Sequence, residues 1–121
     1  MMAEWLIALL LAGNISPLLT VPIVHAQDKK DVWMSALSDC ESNASTTIKV
    51  WDVNNQWSYG KYQWQMRSWL RYKKQGATKE NILNEKMQDK ITRYVLDTYG
   101  DQDWINCSRL VRKSLGSYPS S

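Results

Sequence analysis

Cys40-Glu41-Ser42-Asn43 and, after a polar loop, Ser58-Tyr59-Gly60-Lys61-Tyr62-Gln63-Trp64 are the two segments on which the reading of this chain turns. Just upstream of the first, Trp33, Ala36, Leu37 and Cys40 recur at i, i+3, i+4, i+7, the spacing of an amphipathic helix. That pattern predicts a helix over residues 32–40, with Asp31 as its N-cap. Glu41 then falls at or just past the helix C-terminus. Between the two segments, residues 48–53 read as a short strand, Asn54-Asn55 as a turn and residues 56–59 as the returning strand. Gly60 breaks the pattern.

Working downstream, Met66, Trp69, Leu70 and Lys73 predict a helix over residues 62–74 that stops at Gly76. Thr78 is placed to cap a single turn over residues 79–83. Asn84 is placed to cap the longest helix, residues 85–99, with a stripe of Met87, Ile91, Tyr94, Val95 and Thr98 and a stop at Gly100. Asp103 is the expected cap of a last helix over residues 104–115, with Trp104, Cys107, Leu110, Val111 and Ser114 on one face. Residues 117–121 are expected to fray. The fold class is mainly α within α+β: four to five short helices with a small β-hairpin after the first.

The N-terminus reads differently. Residues 5–12 form an apolar run shorter than the roughly 20 residues a spanning helix needs. Val24-His25-Ala26 followed by charged residues marks a secretory cleavage pattern. Residues 1–26 are therefore expected to be a signal peptide, and residues 27–121 one domain. The leader lacks Lys and Arg and carries Glu4, so an uncleaved anchor over residues 5–24 is the alternative. Loss of Glu4 would leave the domain slightly more basic than the formal +3 of the whole chain. That mild balance implies no nucleic-acid partner. Two cysteines, Cys40 and Cys107, in a small exported domain point to a disulfide, which the loop-entropy account values at about 4 kcal/mol. Two buried thiols are the other reading. Of the seven tryptophans only Trp5 falls in the leader, so the domain has large aromatic area to bury.

The chemistry the residues support is narrow. His25 is the only histidine and lies in the leader. This removes histidine-based nucleophilic triads and zinc sites from the domain. The glycines form no phosphate loop, and no cofactor or metal is expected. The basic and aromatic run Arg67 to Lys74 is better read as a solvated face over Trp69 and Leu70 than as a nucleic-acid surface. Glycosidic cleavage needs a carboxylic acid still protonated near neutral pH. Glu41, at the negative end of a helix and beside apolar rings such as Trp33 or Trp64, is placed to be that acid. For a second carboxylate, Asp39 lies on the wrong side of the helix end. Asp52 either forms the hairpin turn or faces the cleft. Trp51 and Trp57, in a polar loop, are expected to contact sugar faces.

The two segments resemble the paired motifs of soluble lytic transglycosylases and goose-type lysozymes, over roughly residues 32–112. The resemblance implies a lysozyme-like fold with Glu41 as the catalytic acid and Gln63, of Gly60-x-x-Gln63, lining the cleft. Gln88, Trp104 and Cys107 are similar to the C-terminal half of small exported members. Animal c-type lysozymes share the pattern, but Ser58 stands where their second carboxylate would be, as in the transglycosylases, where one Glu serves as acid and then base. Asn43 replaces the Gly that commonly follows Glu-Ser, Lys61-Tyr62 replaces the usual apolar pair, and the Ala-Tyr-Asn-x-Gly segment is absent. The implied activity is cleavage of the β-1,4 bond between N-acetylmuramic acid and N-acetylglucosamine in peptidoglycan glycan strands. Ser58, Tyr59, Gln63 and Tyr94 would orient substrate. The expected form is an exported monomer, periplasmic, wall-associated or extracellular, touching membrane only if the leader stays attached. A non-catalytic glycan-binding module and a hydrolytic muramidase using Asp52 are the alternatives.

Overall fold

The computed structural model describes residues 26–120; the expected leader lies outside them except for Ala26. The chain runs α1 (Ala26–Ser42), β1 (Lys49–Trp51), β2 (Trp57–Tyr59), β3 (Trp64–Gln65), α2 (Met66–Trp69), a tight 3-10 segment (Leu70–Gln75), α3 (Glu85–Tyr99), a 3-10 turn (Gln102–Trp104) and α4 (Ile105–Leu115). The strands form one antiparallel sheet in the order β1-β2-β3. The architecture is thus mostly helical with a small antiparallel sheet, in agreement with the α+β class. Among the described residues no helix is long and apolar enough to cross a membrane.

α1 begins six residues before the expected start at Val32. Its early turns are polar, so no apolar stripe announces them. They are held by ion pairs to α3 instead: Lys30 to Asp97 at 3.0 Å, and Asp31 to Arg93. Asp31 is therefore a mid-helix partner and not an N-cap. At the other end, Asn43 and Ala44 both adopt left-handed backbone, φ 53° and 59°. Their N–H groups return to the carbonyls of Asp39 and Ser38, satisfying acceptors the helix leaves open. A left-handed residue favours Gly and tolerates Asn, which accounts for Asn43 at this position.

The hairpin forms where the alternation placed it, with Lys49 opposite Tyr59 and Trp51 opposite Trp57. The expected helix over residues 62–74 does not begin there. Gly60 (φ 73°) and Gln63 (φ 56°) turn the chain, and Trp64-Gln65 pair with Tyr59-Ser58 as a third strand. Helix follows only from Met66 and tightens into the 3-10 segment, whose Tyr72 leaves helical geometry. Arg67, Arg71 and Lys74 are exposed while Trp69 is fully buried, so that basic run is a solvated face. Residues 79–83 make turns rather than a helical turn, although the Thr78 hydroxyl does accept from Asn81 N–H at 3.2 Å.

α3 has the expected bounds. The Asn84 side chain accepts from Met87 N–H at 2.9 Å, and the chain leaves the helix at Gly100. Its buried face is Gln88, Ile91, Thr92, Val95 and Leu96; Thr98 is exposed. α4 starts one residue late, after a 3-10 turn that contains Asp103, so Asp103 caps nothing. Ser108 and Val111 face inward, while Leu110 and Ser114 are exposed, because α4 packs on α1 along a narrower stripe than the spacing implied. The tail has a fixed point at Tyr118. Tyr118 packs edge-on against Trp33 at 5.5 Å and donates to Asp97.

The core is built on tryptophan. Trp33, Trp64, Trp69 and Trp104 are buried, and Trp64 meets Trp69, Tyr72 and Trp104 edge-to-face at 5.4 to 5.7 Å. Each buried indole N–H has a partner: Gly116 O, Thr92 Oγ1, Thr78 O and Tyr62 O respectively. Pairing these donors removes the main cost of burying so polar a ring edge. Cys40 and Cys107 are bridged across a separation of 67 residues, tying the end of α1 to α4.

Candidate functional site

Glu41 sits in the last turn of α1, half-buried, and lines an open cleft of about 290 Å³. Opposite walls come from the hairpin (Asp52, Ser58), the turn and third strand (Gln63, Trp64, Gln65), and the approach to α4 (Asp103, Trp104). Trp33, expected beside the acid, packs instead against Tyr118 of the C-terminal tail; Trp64 lines the cleft, together with Trp104. Burial, and then the negative charge of Asp52, raise the Glu41 carboxyl from 4.5 to about 7. A carboxyl in this range is half protonated at neutral pH, which is what a general acid requires.

The two sequence segments are physically one unit. Ser42 Oγ lies 2.8 Å from the carbonyl of Lys61, so the residue after the acid is fastened to the Gly60 turn. Gln88, buried in α3, fixes that turn from below: its Oε1 accepts from Tyr62 N–H at 3.1 Å, and its Nε2 donates to the carbonyls of Tyr59 and Ile82 at 2.8 and 2.6 Å. A Cβ on Gly60 would sit 2.4 Å from that Nε2, so both the positive φ and the close approach demand glycine there. Gln63 turns its amide back onto the Gly60 carbonyl at 3.0 Å. Tyr62 is buried with its hydroxyl on Asp89, and Lys61 pairs with Glu85 and Asp89 at 3.3 and 3.0 Å. The Lys61-Tyr62 pair therefore anchors the turn to α3 by ion pairs and by the Tyr62 hydroxyl and N–H.

Asp52 combines both of its expected readings. Its Oδ1 accepts from Val53 N–H at 3.0 Å within the hairpin turn, and its Oδ2 accepts from Ser58 Oγ at 2.9 Å inside the cleft. The Ser58 hydroxyl, nearly inaccessible at 1 % exposure, thus serves a carboxylate. Trp51, Trp57 and Tyr59 share the opposite face of the hairpin with Lys49, because side chains alternate across a strand. Trp51 and Trp57 are exposed and meet each other at 5.1 Å, and the Lys49 ammonium lies 4.4 Å over Trp57. Tyr94 packs between Tyr72 and Tyr99 and does not line the cleft. The structure thus brings together Glu41, Asp52, Ser58 and Gln63, and leaves Trp51, Trp57, Tyr59 and Tyr94 outside.

Gln65, Ser68 and Asp103 also line the cleft and carry no motif of their own in the sequence. Gln65 could have been found only by recognising β3, since its register opposite Ser58 puts it there. Among the described residues no group of His, Cys, Asp and Glu is arranged to hold a metal ion. Comparison with protein-family models, with curated proteins and with solved structures gave no match.

Proposed function

We propose that the protein cleaves the β-1,4 bond between N-acetylmuramic acid and N-acetylglucosamine in peptidoglycan, on a lysozyme-like fold, with Glu41 as general acid and then base. The observation that carries the reading is a carboxyl raised to about 7 in an open, polar-walled cleft. Glu41 gives its proton to the glycosidic oxygen as the C1–O bond breaks. As carboxylate it then takes the proton of the muramoyl 6-hydroxyl while that oxygen closes on C1, leaving a 1,6-anhydro end. The polar cleft, with Gln63 and the Trp64 and Trp104 rings along it, suits an N-acetylated sugar, whose hydroxyl and amide groups are polar and whose ring has apolar faces. The Cys40–Cys107 bridge fits an exported protein, since disulfides persist in oxidising compartments.

Incubating the oxidised protein with purified peptidoglycan and weighing the soluble products tests this. Anhydro-muropeptides are expected, and Glu41→Gln should release none while keeping its fold. Release by that variant would refute the assignment. The place of Asp52 in the same cleft favours one second reading, hydrolysis, in which Asp52 activates water and products are reducing-ended and heavier by one water. Binding to sacculi without release would identify a glycan-binding module.

A further inference from the structure

We propose that Gln65 and Asn54 are positioning residues of the cleft, holding the Asp52 carboxylate in place through the hydroxyl of Ser58. The effect on catalysis rests on the glycan-cleaving reading; the effect on Asp52 rests on side-chain geometry alone. Four side chains form an unbroken line. Asn54 Nδ2 donates to Gln65 Oε1 at 3.0 Å, and Gln65 Nε2 returns to Asn54 Oδ1 at 3.1 Å. The same Nε2 donates to Ser58 Oγ at 3.2 Å, and Ser58 Oγ donates to Asp52 Oδ2 at 2.9 Å.

The direction of this line matters. A serine hydroxyl has one proton and rotates freely unless its oxygen is also engaged. The Gln65 donor occupies that oxygen, which leaves the Ser58 proton aimed at Asp52. The reciprocal amide pair fixes Gln65 in turn and joins the hairpin tip to β3. Each link polarises the next. Without it the Asp52 carboxylate would keep only its bond from Val53 N–H, on a tip whose neighbours Val53, Asn54 and Asn55 are all exposed.

Where Asp52 stands decides the field at Glu41. Besides Glu41, the charged groups along the cleft are Asp52 from the hairpin and Asp103 from the turn before α4; α1 and α2 otherwise present only Ser68, and among the described residues no Lys or Arg lines it. A held Asp52 therefore keeps an uncompensated negative charge on the acid. A released one does not.

The test is a carbon-detected NMR titration of the Glu41 carboxyl, which needs no activity. Asp52→Asn should lower the Glu41 midpoint by roughly half a unit to one unit. Asn54→Ala, at an exposed position outside the cleft, should lower it by a part of that amount, and so should Gln65→Met, which keeps length but loses the donors. In an Asp52→Asn background neither should shift it further. An unchanged midpoint in Asn54→Ala and Gln65→Met, or an equal shift with Asp52 already replaced, would overturn the proposal. The alkaline limb of peptidoglycan release should move with the midpoint. Absence of any release by the wild-type protein would count against the glycan-cleaving reading and leave the titration result standing.

Discussion

Replacing Glu41 with glutamine should stabilise this protein at pH 8 and leave its stability almost unchanged at pH 4. The folded carboxyl titrates at about 7 and its unperturbed value is 4.5, so the folded state holds the proton more tightly than the unfolded chain. The contribution is fully present below 4.5 and is lost as pH rises through about 7. At about 1.4 kcal/mol per unit, the full interval corresponds to about 3.4 kcal/mol. Solvent reaches much of the half-buried carboxylate, and screening reduces the figure to about 1–2 kcal/mol. Glutamine has the same shape and no charge to desolvate, so the variant escapes this cost. Urea denaturation of both oxidised proteins, followed by tryptophan fluorescence between pH 4 and pH 9, measures it directly. The two stability curves should coincide in acid and diverge through neutrality by about 1–2 kcal/mol, read as a higher urea midpoint for the variant. Parallel curves, equally spaced at both ends, would refute the argument that Glu41 is buried as an acid.

Three further outcomes follow from the same geometry. Gly60→Ala should cost about 2–4 kcal/mol, because its Cβ meets the Gln88 amide at 2.4 Å in left-handed backbone; a urea midpoint like that of the wild type would mean that Gln88 moves aside freely. Gln88→Leu should cost about 3 kcal/mol by stranding Tyr62 N–H and the Tyr59 and Ile82 carbonyls, and the same denaturation series checks it. Reducing Cys40–Cys107, which closes 67 residues, should cost up to about 4 kcal/mol, read as a fall in Tm that alkylation makes permanent.

The parts of this fold that were legible in the sequence are those with local causes. Asn84 and Gly100 bracket α3 because a cap side chain and a left-handed exit are written in single residues. The hairpin was legible from alternation and Glu41 from its place at the end of α1, whereas Gln63 was legible only as a likeness, through Gly60-x-x-Gln63. What escaped depended on partners far along the chain. The polar start of α1 is held by Asp97 and Arg93 on α3, and no stripe records that. β3 exists because Gly60 and Gln63 turn Trp64-Gln65 back onto Ser58; helical spacing in the same residues pointed the other way. Trp51 and Trp57 were read by composition of their loop, but strand alternation sets them on the face away from Ser58. Gln88 was legible only as a likeness, since nothing local says that a glutamine between Met87 and Ile91 will hold three backbone groups.

The walls of the cleft come from opposite ends of the chain: Glu41 from its first described helix, and Asp103 and Trp104 from just before its last. A ribosome adding about 5–20 residues each second takes several seconds to pass from Cys40 to Cys107. For that interval the end of α1, and the hairpin once it is made, lack the Asp103–Trp104 wall. Glu41 is thus among the first of the described residues to be made, and the residues that enclose it are among the last.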